Sequence, residues 1–496
     1  MKTFRFNQTI VTAAAVGTIV LIVSSIHAGP LKGFGRLRSS ERGVPSLASG
    51  NLKTRKLHHR APPVPIPVAY PHYRLIDLGT FGGPNSGVWA ASVQLNNRGE
   101  VIAQLGTATP DPYCLQIDCF IWHGAVRETN GVITDLGALP GVSNSVPVWI
   151  SETGLITGLS ENGLIDPLTD FPQFRAVLWN RDRSILDLGT LGGNSSMGLA
   201  ANNRGQVVGV ALNAIEESPD FAQVMTLFFP AATQARAFLW RNGSMQDLGT
   251  LGGNDAAAWE VNESGHIVGL SYTNTTPNDS TGIPTVHPFL WKNGTMQDLG
   301  SLGGTLSVPG DPNFFNPGTR VLNDSGEVAG TSMLAGDEVW HAFVWANGTM
   351  TDLGTLGGTT SLAVAINNKG QVVGKAVVTD TPFVLHAFLW ENGHMTDLGA
   401  VARCTRSVAN SINSANQVVG NLGYCTDDPN DMTFYSAFYT EKGKPMVDLN
   451  TLITPASEIH LTDAWNINNR GEILANGKLP DGSERVALLV PIPPGH

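Results

Sequence analysis

A short signature that ends in Asp-Leu-Gly recurs along the chain and limits what the chain can fold into. Its aspartate stands at Asp77, Asp135, Asp187, Asp247, Asp298, Asp352, Asp397 and Asp448, the last in Asp-Leu-Asn. The eight copies lie 45 to 60 residues apart. A repeated unit must rebuild its own packing in every copy, whereas a reaction needs only one site. The signature therefore indicates scaffold rather than an active site.

Residues 363–398 show what one unit contains. Four short apolar or β-branched runs follow one another: AVAINN, GQVVGKA, HAFLW and MTDL. Such runs predict β-strands. An Asn-rich turn joins the first two strands and an Asn-Gly turn joins the last two. Because QVVG and AFLW do not alternate apolar with polar residues, we expect both faces of these strands to be buried.

Four-stranded units that are buried on both faces are what the blades of a β-propeller require. The first recognisable strand, residues 72–79, is a fourth strand without its first three, and the chain ends with three strands that lack a fourth. The two ends therefore complete one unit and leave no open sheet edge. We predict an all-β fold, a closed β-propeller of eight four-stranded blades over residues 70–496, with the N-terminal strand completing the last blade. A β-solenoid is the alternative, although its period is usually shorter.

Two segments precede this body. Residues 1–28 combine Lys2 and Arg5 with an apolar run from Ile10 to Ile26 and a small residue at Ala28, which predicts a signal peptide or an uncleaved anchor. A cytosolic protein is the third alternative. Residues 29–69 are basic and rich in Pro, Gly and Ser, which predicts a disordered linker.

The charge of the body excludes some partners. The chain holds 30 Lys or Arg and 41 acids, and residues 1–60 contain ten of these bases and a single acid, Glu41. The body therefore carries about twice as many acids as bases. Such a surface repels nucleic acid, and we expect contact with a membrane only if the N-terminal helix is not cleaved.

The four cysteines predict two disulfides, since their number is even in a chain that we expect to be exported. A turn near residues 414–416 places residues opposite each other when their numbers sum to about 830. Cys404 and Cys425 fit that register and should be cross-strand partners. Cys114 and Cys119 would then close a short loop. The predicted location is extracellular or periplasmic.

HAFVW at 341–345 and HAFLW at 386–390, together with the DLGTLGG and GQVVG segments, carry a family resemblance. From about residue 72 the chain resembles the extracellular HAF-repeat family, named after His-Ala-Phe. The resemblance implies an exported bacterial repeat protein. It implies no activity, substrate or catalytic residue.

The histidines of this signature do not predict a metal site. His287, His341 and His386 occupy one position in three consecutive units, and neighbouring blades place such positions more than ~10 Å apart. A zinc ligand must lie at about 2 Å from the ion. Arg175 and Arg236 stand at the same position elsewhere, which favours a hydrogen-bonding or capping role.

The connections between second and third strands are the longest and least repetitive segments. We place them at residues 106–118, 161–174, 213–235, 272–286, 333–340, 377–385, 423–435 and 477–484. They are rich in acids and hold one base, Lys478. Variable loops on a rigid frame are common recognition sites.

Carboxylates beside aromatic rings suit neutral sugars, or a Ca²⁺ ion that bridges to a sugar. The predicted ligand-binding residues are Glu216, Glu217, Asp220, Trp340, Tyr113 and Tyr435. The predicted Ca²⁺ ligands are Asp427, Asp428 and Asp431.

Three functions compete on this evidence. The favoured one is a binding or adhesion module whose partner is a carbohydrate or an extracellular protein. The alternatives are an extracellular hydrolase or lyase that uses carboxylates on the same loops, and a structural envelope protein. We name no catalytic residue, because the sequence contains no nucleophile elbow, P-loop or zinc-protease motif.

Overall fold

The computed structural model describes residues 70–88, 92–116, 118–141, 144–217, 229–312, 320–401, 404–423, 425 and 435–493. The predicted signal or anchor and the predicted linker lie outside these residues. Within them, no helix has the length and apolar character needed to cross a membrane.

The described chain is all-β, as predicted, and its strands fall into successive groups of four. The first groups are β1 (Tyr73–Asp77); β2 (Gly82–Gly87), β3 (Val101–Pro110), β4 (Phe120–Arg127) and β5 (Ile133–Gly137); β6 (Ser145–Ile150), β7 (Ile156–Ile165), β8 (Pro172–Trp179) and β9 (Ile185–Asp187); and β10 (Gly192–Ala201), β11 (Val207–Glu216), β12 (Thr233–Arg241) and β13 (Ser244–Asp247).

The second half of the chain continues the pattern. Its strands are β14 (Ala256–Val261), β15 (Ile267–Tyr272), β16 (Val286–Lys292) and β17 (Thr295–Asp298); β18 (Gly303–Pro309), β19 (Val328–Leu334), β20 (Trp340–Ala346) and β21 (Thr349–Asp352); β22 (Ser361–Ile366), β23 (Val372–Asp380), β24 (Phe383–Glu391) and β25 (His394–Gly399); β26 (Arg406–Ile412), β27 (Gln417–Gly423), β28 (Ser436–Glu441) and β29 (Val447–Asp448); and β30 (His460–Ile467), β31 (Ile473–Lys478) and β32 (Glu484–Pro491). A short 3₁₀ helix, Leu449–Leu452, follows β29.

We number the groups units 1 to 8 from β2–β5 to β30–β32. Units 1, 2 and 3 are separate antiparallel sheets, while units 4 and 5, and units 6 and 7, are joined in pairs by single parallel bridges. In unit 8 the fourth strand is β1, which pairs antiparallel with β32 from Tyr73 opposite Pro491 to Asp77 opposite Ala487. The predicted pairing of the chain ends is therefore confirmed.

Apolar residues of neighbouring units pack against each other. Ile102 of unit 1 shares a buried cluster with Ile156 and Trp179 of unit 2. Leu474 and Leu488 of unit 8 share another with Val101 of unit 1. Strands with both faces covered have to be apolar throughout, which is the physical reason for the missing alternation in QVVG and AFLW.

Among the described residues, a β-bulge near the end of the first strand recurs in six units, and unit 6 shows its consequence. The register shifts between Ala363 and Ala365. The bulge pushes the backbone of Leu362 towards the second strand, where a Cβ on Gly374 would overlap the Leu362 carbonyl oxygen. The last residue of the QVVG segment is therefore glycine because the backbones approach closely, not because a turn requires it.

Several connections between second and third strands are shorter than the sequence predicted, although the one between β15 and β16 matches the predicted segment 272–286. β23 extends to Asp380 and β24 begins at Phe383, so only two residues of the predicted segment 377–385 form the turn. β3 likewise extends to Pro110 and β7 to Ile165. Antiparallel neighbours satisfy each other's backbone groups, so the hairpins extend into sequence that carries no strand pattern.

Candidate functional site

Each first strand leads into a turn, and these turns all lie at the same end of the strands. We call this end the turn side. The third-to-fourth turns lie on the same side, since the strands are antiparallel. The second-to-third connections and the links between units lie on the opposite side, which we call the loop side. The predicted site belongs to the loop side.

On the loop side, a residue in the first half of the third strand pairs with the signature aspartate of its own unit. His341 Nδ1 lies 2.9 Å from Asp352 Oδ2, and His287, His386 and also His123 make the same contact with their own aspartates. Arg236 replaces histidine in unit 3, with its Nε 3.0 Å from Asp247 Oδ2. The predicted hydrogen-bonding role of this position is confirmed.

The signature aspartate also accepts from the backbone. Gly300 N–H donates to Asp298 Oδ1 at 2.8 Å. Burial raises the pKa of Asp298, but the hydrogen bonds from the His287 ring and from Gly300 outweigh burial and hold the pKa below its ordinary value. Each aspartate thus closes its own turn.

Several loop-side carboxylates are also engaged inside the protein. In the described second-to-third hairpins, seven of them accept a hydrogen bond from an Asn or Thr side chain in or just after a link between strands four and one. The pairs are Asp111 and Glu161 with Asn144, Asp118 with Asn85, Asp166 with Asn194, Glu217 with Asn254, Asp337 with Thr305, and Asp380 with Thr359. These acids fasten the links, so their oxygens are partly used before any ligand arrives.

The residues predicted to bind ligand lie in different surroundings. Glu216 is exposed at the end of β11, opposite Thr233. Glu217 accepts the hydrogen bond from the Asn254 side chain described above. Tyr113 is 51 % exposed. Trp340, predicted in a loop, instead begins β20 and pairs with Met333 because the hairpin extends that far. Tyr435 is half-buried, and its carbonyl oxygen lies 3.2 Å from His460 Nε2.

Asp220 and the predicted Ca²⁺ ligands Asp427, Asp428 and Asp431 lie outside the described residues. Their assignment stays a prediction.

Both predicted disulfides are present, Cys114–Cys119 and Cys404–Cys425. The register of β26 and β27 places Arg406 opposite Gly423, which continues to Cys404 opposite Cys425 as expected. Disulfides are typical of an oxidising extracellular or periplasmic environment.

On the turn side, one position joins the units to one another. It is the first residue of the turn after each first strand, and we call its eight members the asparagine series: Asn96, Ser151, Asn202, Asn262, Asn323, Asn367, Asn413 and Asn468. Each asparagine donates from its side-chain amide to the backbone carbonyl of the next member, at 2.9 to 3.3 Å. The last bond, from Asn468, reaches Asn96, where the series begins.

Unit 2 departs from the series because Ser151 has no amide. There Thr153 N–H donates instead to Asn203 Oδ1 at 2.9 Å. The same side-chain oxygens also hold their own turns; Asn468 Oδ1 accepts from the N–H groups of Arg470 and Glu472, both at 3.0 Å. This double use explains why the Asn-Asn-Arg-Gly type of turn recurs.

A cavity of about 240 Å³ lies among the first strands and their turns. Its apolar wall includes Val93, Leu95, Ile366, Ile412 and Ile467.

The rim of this cavity carries amide, carboxylate and hydroxyl groups. They belong to Asn97, Glu152, Glu263, Asp324, Asn368 and Ser414. Glu152 accepts from the backbone and side chain of Asn97 at 2.9 and 2.7 Å, and Asp324 accepts from the Asn368 amide at 2.7 Å.

Arg320 lines this cavity and also a smaller adjoining one of about 20 Å³. Its guanidinium carbon lies 5.9 Å from the centroid of the Trp149 ring, which is a cation–π distance. Trp149 and Glu260 line the smaller cavity with it. Three side chains from units 2, 4 and 5 therefore meet at one place.

Glu260 is 4 % exposed, and its Oε2 accepts from Val321 N–H at 2.7 Å and Leu322 N–H at 3.1 Å. Burial raises the pKa of this carboxyl to about 7, although the charge of Arg320 and the two hydrogen bonds oppose the rise. Perturbed carboxyl groups in clefts are common at functional sites.

The sequence argument missed these residues because it looked for chemistry in the long loops. A signal was present in the first strands. Glu260 stands two residues before the asparagine series, where the other units have Gln94, Trp149, Ala200, Val321, Ala365, Ser411 and Asn466. Arg320 stands three before it and is the only charged residue at that position in the eight units. Unrepeated residues in a repeated strand were the clue.

No protein-family model matches the sequence, and no curated protein matches it. Among solved structures, virginiamycin B lyase from Staphylococcus aureus is similar at 9 % identity and a TM-score of 0.35, covering 85 % of this chain and 100 % of that one. A protein of unknown function from Dyadobacter fermentans gives 10 % identity and a TM-score of 0.33, covering 84 % and 99 % of the two chains. A polysaccharide lyase described as a PL25 ulvan lyase gives 10 % identity and a TM-score of 0.34, covering 83 % and 95 %. Similarity at this level indicates neither an activity nor a ligand for the present protein.

Proposed function

We propose that the described strands form one closed β-propeller of eight four-stranded blades, as the HAF-repeat resemblance and the repeat phase led us to expect. Three observations support closure. β1 pairs with β32, the asparagine series returns from Asn468 to Asn96, and unit 8 shares an apolar cluster with unit 1. Closure leaves no incomplete blade at the terminal strands, so the remaining sheet edges are short and protected.

We propose that this propeller is an exported binding module and that its ligand occupies the turn-side cavity. The observation that carries the proposal is the convergence of the unrepeated residues Trp149, Glu260 and Arg320 at the smaller adjoining cavity, from which Arg320 also reaches the lining of the turn-side cavity. The repeated residues pack or close turns, whereas unrepeated residues that meet at one place are available for recognition.

The lining suits a small hydroxyl-rich ligand such as one sugar unit. Glu152 and Asp324 each accept hydrogen bonds within the turns, but a carboxylate has about four acceptor sites, so both can also accept from hydroxyl groups of a ligand. The apolar wall suits the carbon face of a ring. At about 240 Å³ the cavity is smaller than the ~300–1,000 Å³ of pockets for drug-sized ligands. The predicted loop-side site remains a second location in this proposal.

One observation favours the enzyme alternative. Glu260, with a pKa of about 7, could donate or accept a proton for a hydrolase or lyase at neutral pH. Burial also raises the pKa of Asp255 to about 7, but Asp255 lines neither of these cavities.

The test is a glycan array followed by calorimetry on the full chain, with product detection to look for turnover. The cavity variant is Glu152→Gln with Asp324→Asn. The loop variant changes Glu216, Glu217, Asp220, Asp427, Asp428 and Asp431 to Gln or Asn, and calorimetry is repeated with Ca²⁺. We expect the cavity variant to weaken binding at least tenfold and the loop variant to leave it unchanged. The reverse result would move the site to the loop side, and loss of Ca²⁺ binding in the loop variant would support the predicted metal site.

A further inference from the structure

Arg320 differs from most arginines of the described chain in its partners. Arg183, Arg236 and Arg485 each make an ion pair or a hydrogen bond with a side chain or carbonyl of a neighbouring segment. Arg320 is half-buried, and among the described residues its guanidinium makes no hydrogen bond and no ion pair. Its guanidinium lies over the Trp149 ring, and its charge also acts on Glu260, with which it forms no ion pair. A partly buried group with five N–H donors gains free energy when acceptors reach it.

The carboxylates around the cavity do not fill this role. Glu260 Oε2 accepts from two backbone N–H groups. Glu152 accepts from Asn97, Asp324 from Asn368, and Glu263 from Asn203 N–H at 3.2 Å. These hydrogen bonds hold the acids within the turns, and none of these four acids forms an ion pair or a hydrogen bond with Arg320, which lines the cavity.

The Trp149 ring does not fill this role either. The ring interacts with the charge of the guanidinium at 5.9 Å but provides no oxygen acceptor for its fork of N–H groups. A planar acceptor with two oxygens matches this fork, because two parallel N–H···O bonds form at once.

We propose that Arg320 binds a carboxylate group of the cavity's ligand, so that the ligand is an acidic sugar or a comparable hydroxy acid. The inference rests on the proposed function, since it names the ligand class of the same cavity. The hydroxyl groups of the ligand meet the rim, and its carbon face meets the apolar wall that includes Ile366 and Ile412.

The charge around the cavity favours one negative charge over two. Glu152, Glu263 and Asp324 surround the rim, and Arg320 and the exposed Lys369 are the cations of the lining. A phosphate dianion carries two negative charges, so the same acids would repel it about twice as strongly as a carboxylate. Among the described lining residues, Arg320 is the only partly buried cation that could offset this repulsion. The carboxylate is therefore favoured over phosphate.

The experiment compares galactose, galacturonate and galactose 6-phosphate by calorimetry on the full chain. The three probes share one ring and differ in charge at a single carbon. We expect galacturonate to bind about tenfold or more tightly than galactose, and galactose 6-phosphate to bind more weakly than galacturonate. Arg320→Gln should abolish the preference, and Arg320→Lys should keep part of it. Arg204→Gln is the matched control, because Arg204 is an exposed turn-side arginine that does not line the cavity.

The outcomes separate the two proposals. Equal binding of galactose and galacturonate would overturn the carboxylate site and leave the binding function standing. Tighter binding of galactose 6-phosphate, or a preference unchanged in Arg320→Gln, would also overturn it. If none of the three probes binds, the carboxylate inference fails, and a glycan array without any hit then removes the binding function as well. If Arg320→Gln lowers the Tm, the preference of Arg320→Lys for galacturonate over galactose is compared with that of Arg204→Gln instead. Equal preferences in these two variants would contradict a bidentate bond from Arg320 to the carboxylate.

Discussion

The side-chain amide of Asn468 donates a hydrogen bond of 3.0 Å to the backbone carbonyl of Asn96, a residue 372 positions earlier in the chain. The same asparagine organises its own turn through Arg470 and Glu472. The Asn468 side chain thus holds its own turn and also joins unit 8 to unit 1.

Replacing Asn468 by alanine should therefore destabilise the protein by about 2–4 kcal/mol, because one bond between units and two turn bonds are lost together. Ser151→Asn is the matched opposite change. It supplies the amide that unit 2 lacks, so we expect no loss, or a gain of up to about 1 kcal/mol. Chemical denaturation of both variants measures this. Equal destabilisation by the two changes would contradict a role for the series in joining units.

Deleting residues 72–79 should expose the edge of β32 and cause aggregation or a much lower Tm. Deleting residues 29–61, which precede the described body, should leave the Tm unchanged. Thermal melting and light scattering distinguish the two. Similar behaviour of both truncations would refute closure by the terminal strands.

Gly374→Ala should destabilise the protein by more than about 2 kcal/mol, because its Cβ would overlap the Leu362 carbonyl oxygen at the bulge. Gly393→Ala provides the comparison. Gly393 has a φ of 80° but open space around its Cβ position. Only the strained backbone conformation should therefore destabilise this variant, by about 1 kcal/mol. If the second variant is the less stable, close approach is not the reason for the repeated glycine.

Glu260 should make stability depend on pH. Its folded pKa of about 7 lies above the ordinary value of 4.5, so the unfolded chain releases the proton first and stability falls as pH rises from about 4.5 to above 7. Glu260→Gln keeps an acceptor for the Val321 and Leu322 N–H groups but does not ionise. We expect this variant to be more stable than wild type at pH 8, by at most about 3 kcal/mol, and to match it near pH 4. A pH-independent difference between the two proteins would show that Glu260 does not titrate as described.

Removing the Cys404–Cys425 disulfide by a double change to serine should cost about 3 kcal/mol, since the bridge spans 21 residues. The same change at Cys114 and Cys119, only five residues apart, should cost less. Peptide mapping without reduction checks the pairing first. Recovery of Cys114 linked to Cys425 would rule out the register of β26 and β27.

Features with a local cause could be predicted from the sequence. The Asn-Gly turns, the four strands of each unit and the partnership of Cys404 with Cys425 follow from turn chemistry and antiparallel register. The pairing of β1 with β32 followed from counting strands at the two ends. The hydrogen-bonding role of His287, His341 and His386 followed from their repetition.

Loop lengths and loop chemistry could not be predicted in the same way. β23 and β24 extend into the segment that the sequence predicted as their connection, and Trp340 belongs to a strand. Both differences arise because backbone pairing continues wherever two antiparallel segments remain adjacent. Acids such as Asp166 and Glu217, which resemble a ligand-binding surface in the sequence, hold links between units in the structure.

By itself, then, the sequence determined the unit, its strands, its turns and the way the ends meet, because each of these depends on residues within one hairpin or on a repeated pattern. The tertiary structure alone decided that Trp149, Glu260 and Arg320 line the smaller cavity together and that Arg320 also lines the larger one. These residues belong to three different units, and no periodicity connects them. The packing of units 2, 4 and 5 brings them together, buries Glu260 and places the Arg320 guanidinium beside the Trp149 ring.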